Sequence, residues 1–225
     1  MSSSSGAAVT ATAIDGWMHE LDDLECPPDA EFLYDTNTDA GARRKSNLRR
    51  YLTLIAQETP PFMLIGEAPG YRGTTVTGIP FMSIRQASSR PGLITRDPSG
   101  DGFAVAPIDA DAPPPWEATS GFMWKALDAR STPAPLLWST YPHHPFVLGD
   151  PSSNRRPRPD EIRRGIPLAI SLASLFGITR FIAVGRVAEQ ALATNGVEAT
   201  PVRHPAQGGA AIFAAQMAEL LSARD

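Results

Sequence analysis

Two short segments hold the residues best suited to chemistry. Gly66-Glu-Ala-Pro-Gly-Tyr-Arg-Gly73, with Gly78-Ile-Pro-Phe81 soon after, sets a glutamate directly behind the apolar run Phe62-Met-Leu-Ile65. Arg203-His-Pro-Ala-Gln-Gly-Gly209 sets a histidine directly behind the strand-like stretch Glu198-Ala-Thr-Pro-Val202. A carboxylate at the end of a buried strand is costly unless its charge is used or paired. Glycines at such a place let backbone amides approach a ligand closely. One carboxylate and one imidazole facing each other across a cleft can orient a water and polarise a leaving group. Each segment also has a plain reading, a Gly/Pro turn in the first case and a packed histidine in the second. Their shared position at a strand end is what raises both above it.

The elements that must carry these residues follow from hydrophobic periodicity. Leu48, Tyr51, Leu52 and Ile55 recur at helical spacing and predict an amphipathic helix over 43–58, stopped by Pro60-Pro61. The run 62–65 suits a parallel strand covered on both faces. A second strand is expected from Pro135 to about Tyr141, a third over 180–184 and a weaker fourth over 198–202. Helices are expected from Ser120 (with Thr119 as the rival cap) through Arg130, from Pro159 to Gly177, over 186–195 and over 210–222. Pro167 should kink the Pro159 helix or delay its start. The Pro-, Gly- and Asp-rich stretch 84–118 reads as a long connection holding a hairpin around Phe103-Ala-Val105. Strand and helix alternate, so the expected fold class is α/β. It is a three-layer α/β/α arrangement around a central four-stranded, mostly parallel sheet. Residues 1–13 read as a disordered tail and 14–225 as one domain. Ligands of such sheets bind beyond the carboxyl ends of the strands. Segments 66–81, 139–146 and 203–209 should therefore converge on one cleft.

Composition narrows the function classes. A single cysteine, Cys26, excludes an intramolecular disulfide, a cysteine-held iron–sulfur cluster and a cysteine-rich zinc site. No apolar run approaches the ~20 residues that span a bilayer, and residues 1–8 lack the pattern of a signal peptide, so a cytoplasmic location is expected. The net charge is −4, but Arg43, Arg44, Lys45, Arg49 and Arg50 cluster, as do Arg155, Arg156, Arg158, Arg163 and Arg164. Either group alone suits a solvated face. Together they suit a local phosphate-binding edge.

Gly66-Glu-Ala-Pro-Gly70 with Gly78-Ile-Pro-Phe81 resembles the first motif of the uracil-DNA glycosylase superfamily, and Arg203-His-Pro-Ala206 is similar to its second. Leu136-Leu-Trp-Ser-Thr-Tyr-Pro-His-His-Pro145 and Ser153-Asn-Arg-Arg-Pro157 add to the likeness, which runs from about residue 62 to 213. It is strongest to the family-four-like bacterial branch, without that branch's four cluster-binding cysteines. The resemblance implies that Glu67 positions water against the sugar C1′ and that His204 stabilises charge on the departing base. Phe81 would stack on an extruded base in a pocket lined by Gly66, Ala68, Pro69, Gly70 and Ser139. Arg203, Pro205, Ala206, Gln207 and Gly208 would contact DNA, with Gln207 as the wedge that holds the flipped state. No metal and no cofactor are implied. The implied partner is DNA carrying uracil or another deaminated base, met by a monomer. Two departures stand out. Ser139 occupies the place of an asparagine that reads the base, with His143 and His144 nearby either as substitutes or as part of a surface loop. Gly70 occupies the place of a tyrosine that excludes a 5-methyl group. A catalytically weak DNA- or nucleotide-binding relative and a hydrolase of free nucleosides are the alternative readings.

Overall fold

The computed structural model of the protein describes residues 9–89, 103–104, 117–128 and 133–222. Its centre is a four-stranded sheet of β2 (Met63–Gly66), β3 (Leu136–Ser139), β5 (Phe181–Val184) and β6 (Ala199–Val202), in the order β3-β2-β5-β6, with every pairing parallel. Helices flank the sheet, as expected for the fold class. The strands β2, β3 and β5 are buried at every residue, which is why they read as continuous apolar runs. A two-residue ribbon pairs β1 (Ala30–Glu31) with β4 (His144–Pro145) in antiparallel fashion.

The first helix, α1 (Ala11–Asp22), is capped by Thr10, whose hydroxyl accepts from the Ala13 amide at 3.2 Å. It buries Ile14, Trp17, Met18 and Leu21, and Trp17 donates to the Leu168 carbonyl at 3.0 Å. Residues 11–13 are therefore part of the fold, which corrects the tail boundary at residue 13. The helix α2 (Asp39–Glu58) begins four residues before the predicted 43, at a Thr38 cap, and buries Leu48, Tyr51, Leu52 and Ile55 as predicted. Tyr51 also protects an edge of the sheet: its hydroxyl accepts from the Leu137 amide at 2.8 Å, on the side of β3 that has no neighbouring strand among the described residues.

Further along come α3 (Thr74–Thr77), α4 (Ile84–Ser89) and α5 (Ala118–Asp128). Neither Ser120 nor Thr119 caps α5. Glu117 does, its carboxylate accepting from the Thr119 amide at 2.9 Å and the Ser120 amide at 2.5 Å. A carboxylate meets the exposed amides and the positive end of the helix at once, which a hydroxyl cannot do. The predicted end of that helix at Arg130 lies outside the described residues, as does the hairpin expected near 105. Of that connection, Phe103 is buried in the core and Ala104 is clasped through both backbone groups by the buried Asn47 side chain, at 2.9 and 2.7 Å.

The helix α6 (Pro159–Leu175) runs through Pro167 and starts where predicted. Pro159 occupies the first turn, where its missing N–H is not needed, and the Glu161 carboxylate accepts from the Arg158 amide to close a capping box. Two helices complete the chain, α7 (Arg186–Thr194) and α8 (Ala210–Ser222).

Candidate active site

The carboxyl ends of β2, β3 and β6 open onto one cavity of about 300 Å³. Glu67, Ala68, Pro69, Gly70, Phe81, Ser139, His204 and Ala206 line it together with Gly66. Sequence segments more than 130 positions apart thus meet at the point where the chain, having placed β3 on one side of β2, crosses to place β5 on the other.

Glu67 is held by its main chain. Its carbonyl accepts from the Thr140 hydroxyl at 2.6 Å and the Tyr141 amide at 3.2 Å, while the Gly66 carbonyl accepts from the Thr140 amide at 2.9 Å. This zips the exits of β2 and β3 together and leaves the side chain to the cavity. Burial pushes the Glu67 carboxyl above its ordinary value, and the guanidinium of Arg156, 3.9 Å away, pulls it partly back. A carboxylate in that state is more basic than a solvated one.

His204 follows β6, with its Cβ against Gly185; a methyl group there would come within 3.2 Å, and the φ of +87° suits glycine alone. The Ala206 amide donates to Nδ1 at 3.1 Å. Nδ1 is therefore the acceptor of the neutral ring, and Nε2 carries the hydrogen. Burial lowers the His204 pKa below the ordinary value, with Glu117 opposing and Arg203 reinforcing the shift. The ring is thus neutral at pH 7 and offers an N–H donor.

Phe81 packs its ring tip against Gly66, so closely that a Cβ on Gly66 would lie 2.4 Å from Cζ. Its backbone is in the left-handed region at φ 56°, and Trp124 donates to its carbonyl at 2.9 Å. Gln207 has the same kind of backbone at φ 52°. Such conformations cost ~1–3 kcal/mol for a side chain larger than glycine's and concentrate at functional loops.

Of the residues expected to meet DNA, Arg203, Ala206, Gln207 and Gly208 are exposed, whereas Pro205 is buried and packs inward. Two other expectations need correction. His143 and His144 do not line the cavity and are fully buried. His143 donates to the Leu24 carbonyl at 3.2 Å between Phe32 and Tyr141, and burial holds its pKa down at about 4. Most of the two basic groups is spent on ion pairs: Arg44 with Glu31, Lys45 with Asp22, Arg49 with Asp15, Arg155 and Arg158 with Asp29 and Glu161, and Arg164 with Glu25 and Asp160. The carboxylates that neutralise them lie far off in sequence for the first group, so local charge counting missed them. Arg156 stands out from this set, exposed beside Glu67.

Sequence reasoning missed several contributors to the cavity wall, among them Thr74, Glu117, Ser120, Asn154 and Arg155. The Ser153–Pro157 stretch carried a signal, but nothing in it said which way Asn154 faces. Glu117 sits in an acidic stretch with no distinguishing mark. Among the described residues no cluster of His, Cys, Asp and Glu suits a metal ion, and no helix is long and apolar enough to cross a membrane.

No curated protein matches the chain. Its fold is similar to that of WT Pedobacter heparinus SMUG2, known from a crystal structure, with a TM-score of 0.63 at 12% identity over 93% of this chain and 97% of the other. The family model described as Uracil DNA glycosylase superfamily matches residues 54–216, the span that contains every wall of the cavity, and the chain belongs to that superfamily.

Proposed function

We propose that the protein is a DNA N-glycosylase that hydrolyses the glycosidic bond of uracil or another deaminated base. The observation that carries this is the meeting of a raised-pKa carboxylate, Glu67, and an imidazole with a fixed Nε2–H, His204, in one base-sized cavity floored by Phe81. Breaking a glycosidic bond builds positive charge on the sugar and negative charge on the base. Glu67 counters the first and orients the attacking water; His204 donates to the second without having to give up a full proton. Both contacts strengthen as charge develops, so both lower the barrier rather than merely tighten binding. The base must leave the stack to reach this cavity, and the exposed Gln207-Gly208 tip is the wedge.

The reading is tested with labelled oligonucleotides holding one uracil, single-stranded or opposite guanine, treated with alkali after incubation. Strand breaks that vanish in Glu67→Ala and His204→Ala establish the activity and both roles. Silence with uracil, hypoxanthine and xanthine alike would remove it. One observation favours a second reading, a binding protein with weak chemistry: the Ser139 hydroxyl, at the asparagine position, is already donated to the Tyr141 carbonyl at 3.0 Å. Affinity for abasic DNA without base release would select that reading.

A further inference from the structure

Asn154 lines the cavity beside Gly70, where a Cβ would lie 3.7 Å from Oδ1 and 3.9 Å from Nδ2. Its orientation is fixed by chemistry rather than by appearance. The Tyr71 amide, which can only donate, points at one terminal atom at 3.0 Å, so that atom is the oxygen. His144 Nε2 reaches the same atom at 3.2 Å and also faces the Ser153 carbonyl at 3.0 Å. A carbonyl can only accept, so Nε2 carries the hydrogen and shares it between two oxygens. The fully buried His144 thus acts as a positioning residue for an exposed amide. With Oδ1 taken twice, Asn154 presents only its two Nδ2 hydrogens, and no described residue accepts them.

Ser139, on the wall of the same cavity, shows the opposite character. Its one hydrogen goes to the Tyr141 carbonyl, so its oxygen offers only lone pairs. We propose that Asn154 and Ser139 share the reading of an extruded base, Asn154 donating to a ring carbonyl and Ser139 accepting the adjacent ring N–H. This rests on the glycosylase reading and names its substrate class. A carbonyl next to a ring N–H is the edge that deamination of cytosine and adenine creates: uracil carries it at O4 and N3, hypoxanthine at O6 and N1. Thymine, guanine and xanthine carry it too, so this pair of residues rejects cytosine and adenine and leaves the other bases to the rest of the pocket. Cytosine and adenine show the reverse, an amine next to a bare ring nitrogen, and would set donor against donor at Asn154 and acceptor against acceptor at Ser139. The amide function missing at position 139 is split between two residues from different parts of the chain.

Asn154→Asp is the sharpest test. It keeps an oxygen for the Tyr71 amide and His144 but turns the presented donor into an acceptor. Base release from uracil and hypoxanthine oligonucleotides should fall by about 5- to 150-fold in kcat/KM, the range for leaving a buried polar pair mismatched. Asn154→Ala should fall less, and neither variant should lose stability on heating. Added negative charge also weakens DNA binding in general, so each variant is titrated with an oligonucleotide holding a tetrahydrofuran abasic analogue and with one holding 2′-fluoro-2′-deoxyuridine, which resists cleavage. The proposal expects the variants to lose the preference for the fluorouridine over the abasic analogue. An unchanged preference overturns it, whether or not the wild type releases bases. A wild type that binds the fluorouridine through Asn154 yet releases nothing would sink the catalytic reading and leave this one standing.

Discussion

Replacing Gly66 with alanine should damage the site through one contact whose size can be worked out. Gly66 has ordinary strand backbone, pairs with Ser139 across the sheet and keeps its carbonyl bonded to the Thr140 amide, so alanine fits the main chain without strain. The added Cβ would stand 2.4 Å from Phe81 Cζ, 3.1 Å from Cε1 and 3.3 Å from Cε2. Ordinary carbon contacts begin near 3.5 Å, so the ring must retreat by about 1 Å, into the space a base would occupy. The Phe81 carbonyl is tied to Trp124, so the backbone cannot simply follow. A misplacement of about 1 Å at a reacting centre costs on the order of 100-fold in rate, about 2.7 kcal/mol. Overpacking should cost about 1–3 kcal/mol of stability. Single-turnover base release from a uracil oligonucleotide reads the first and urea denaturation the second. Phe81→Ala alone should lose the stacking of one base, about 1–3 kcal/mol. Because the three atoms nearest the added Cβ all belong to the ring, the double variant should be no slower than Phe81→Ala. Losses that simply add would refute the reasoning, since they would mean that Gly66 matters for something other than the ring.

The two shifted groups fix a pH profile. Glu67 must be ionised and its pKa is raised, so the rate should fall tenfold per unit below that raised value; His204 is already neutral, so no second limb should appear as pH rises through 6 to 8. A decline across that range would show that a protonated imidazole is required. Arg156→Ala removes the attraction that holds the Glu67 pKa down, so the acid limb should move to higher pH while the plateau rate changes less. Because the folded pKa of Glu67 is raised, its ionised form costs stability above the unfolded value; Glu67→Gln should raise Tm at pH 8, leave it unchanged near pH 4, and abolish base release. Tyr51→Phe strands the Leu137 amide at the covered edge of β3, and urea unfolding should show a loss of about 1–3 kcal/mol without a change in substrate preference. Among the described residues Arg72, Arg156 and Arg203 are the exposed cations on the segments that form the cavity; if these three carry the phosphate contacts, log K for single strands should fall with log salt at a slope near −2.

The four strands of the sheet, the helices α2 and α5 to α8 and the two chemical segments were legible in the sequence alone, because buried parallel strands are short apolar runs and the glycines and prolines after them mark sharp exits; α1, α3, α4 and the β1–β4 ribbon were not. Glu67 and His204 could be named from their place behind β2 and β6. Ion pairing was not legible: Arg49 finds Asp15 and Arg155 finds Asp29 only after α1, α2 and α6 pack, so a row of arginines that looked free for phosphate is largely neutralised within the fold. His143 and His144 could be read as pocket substitutes or as a surface loop, and they are neither: both are fully buried, His144 within the small β1–β4 ribbon. Direction was the other thing withheld. Sequence gives Asn154 and His204 as residue types, but a donor or an acceptor is assigned only when a neighbour takes the other face: the Ala206 amide for the imidazole, the Tyr71 amide for the asparagine. Strand and helix follow from local periodicity, whereas polarity at a site depends on partners that are brought together from distant positions, and only tertiary structure supplies those.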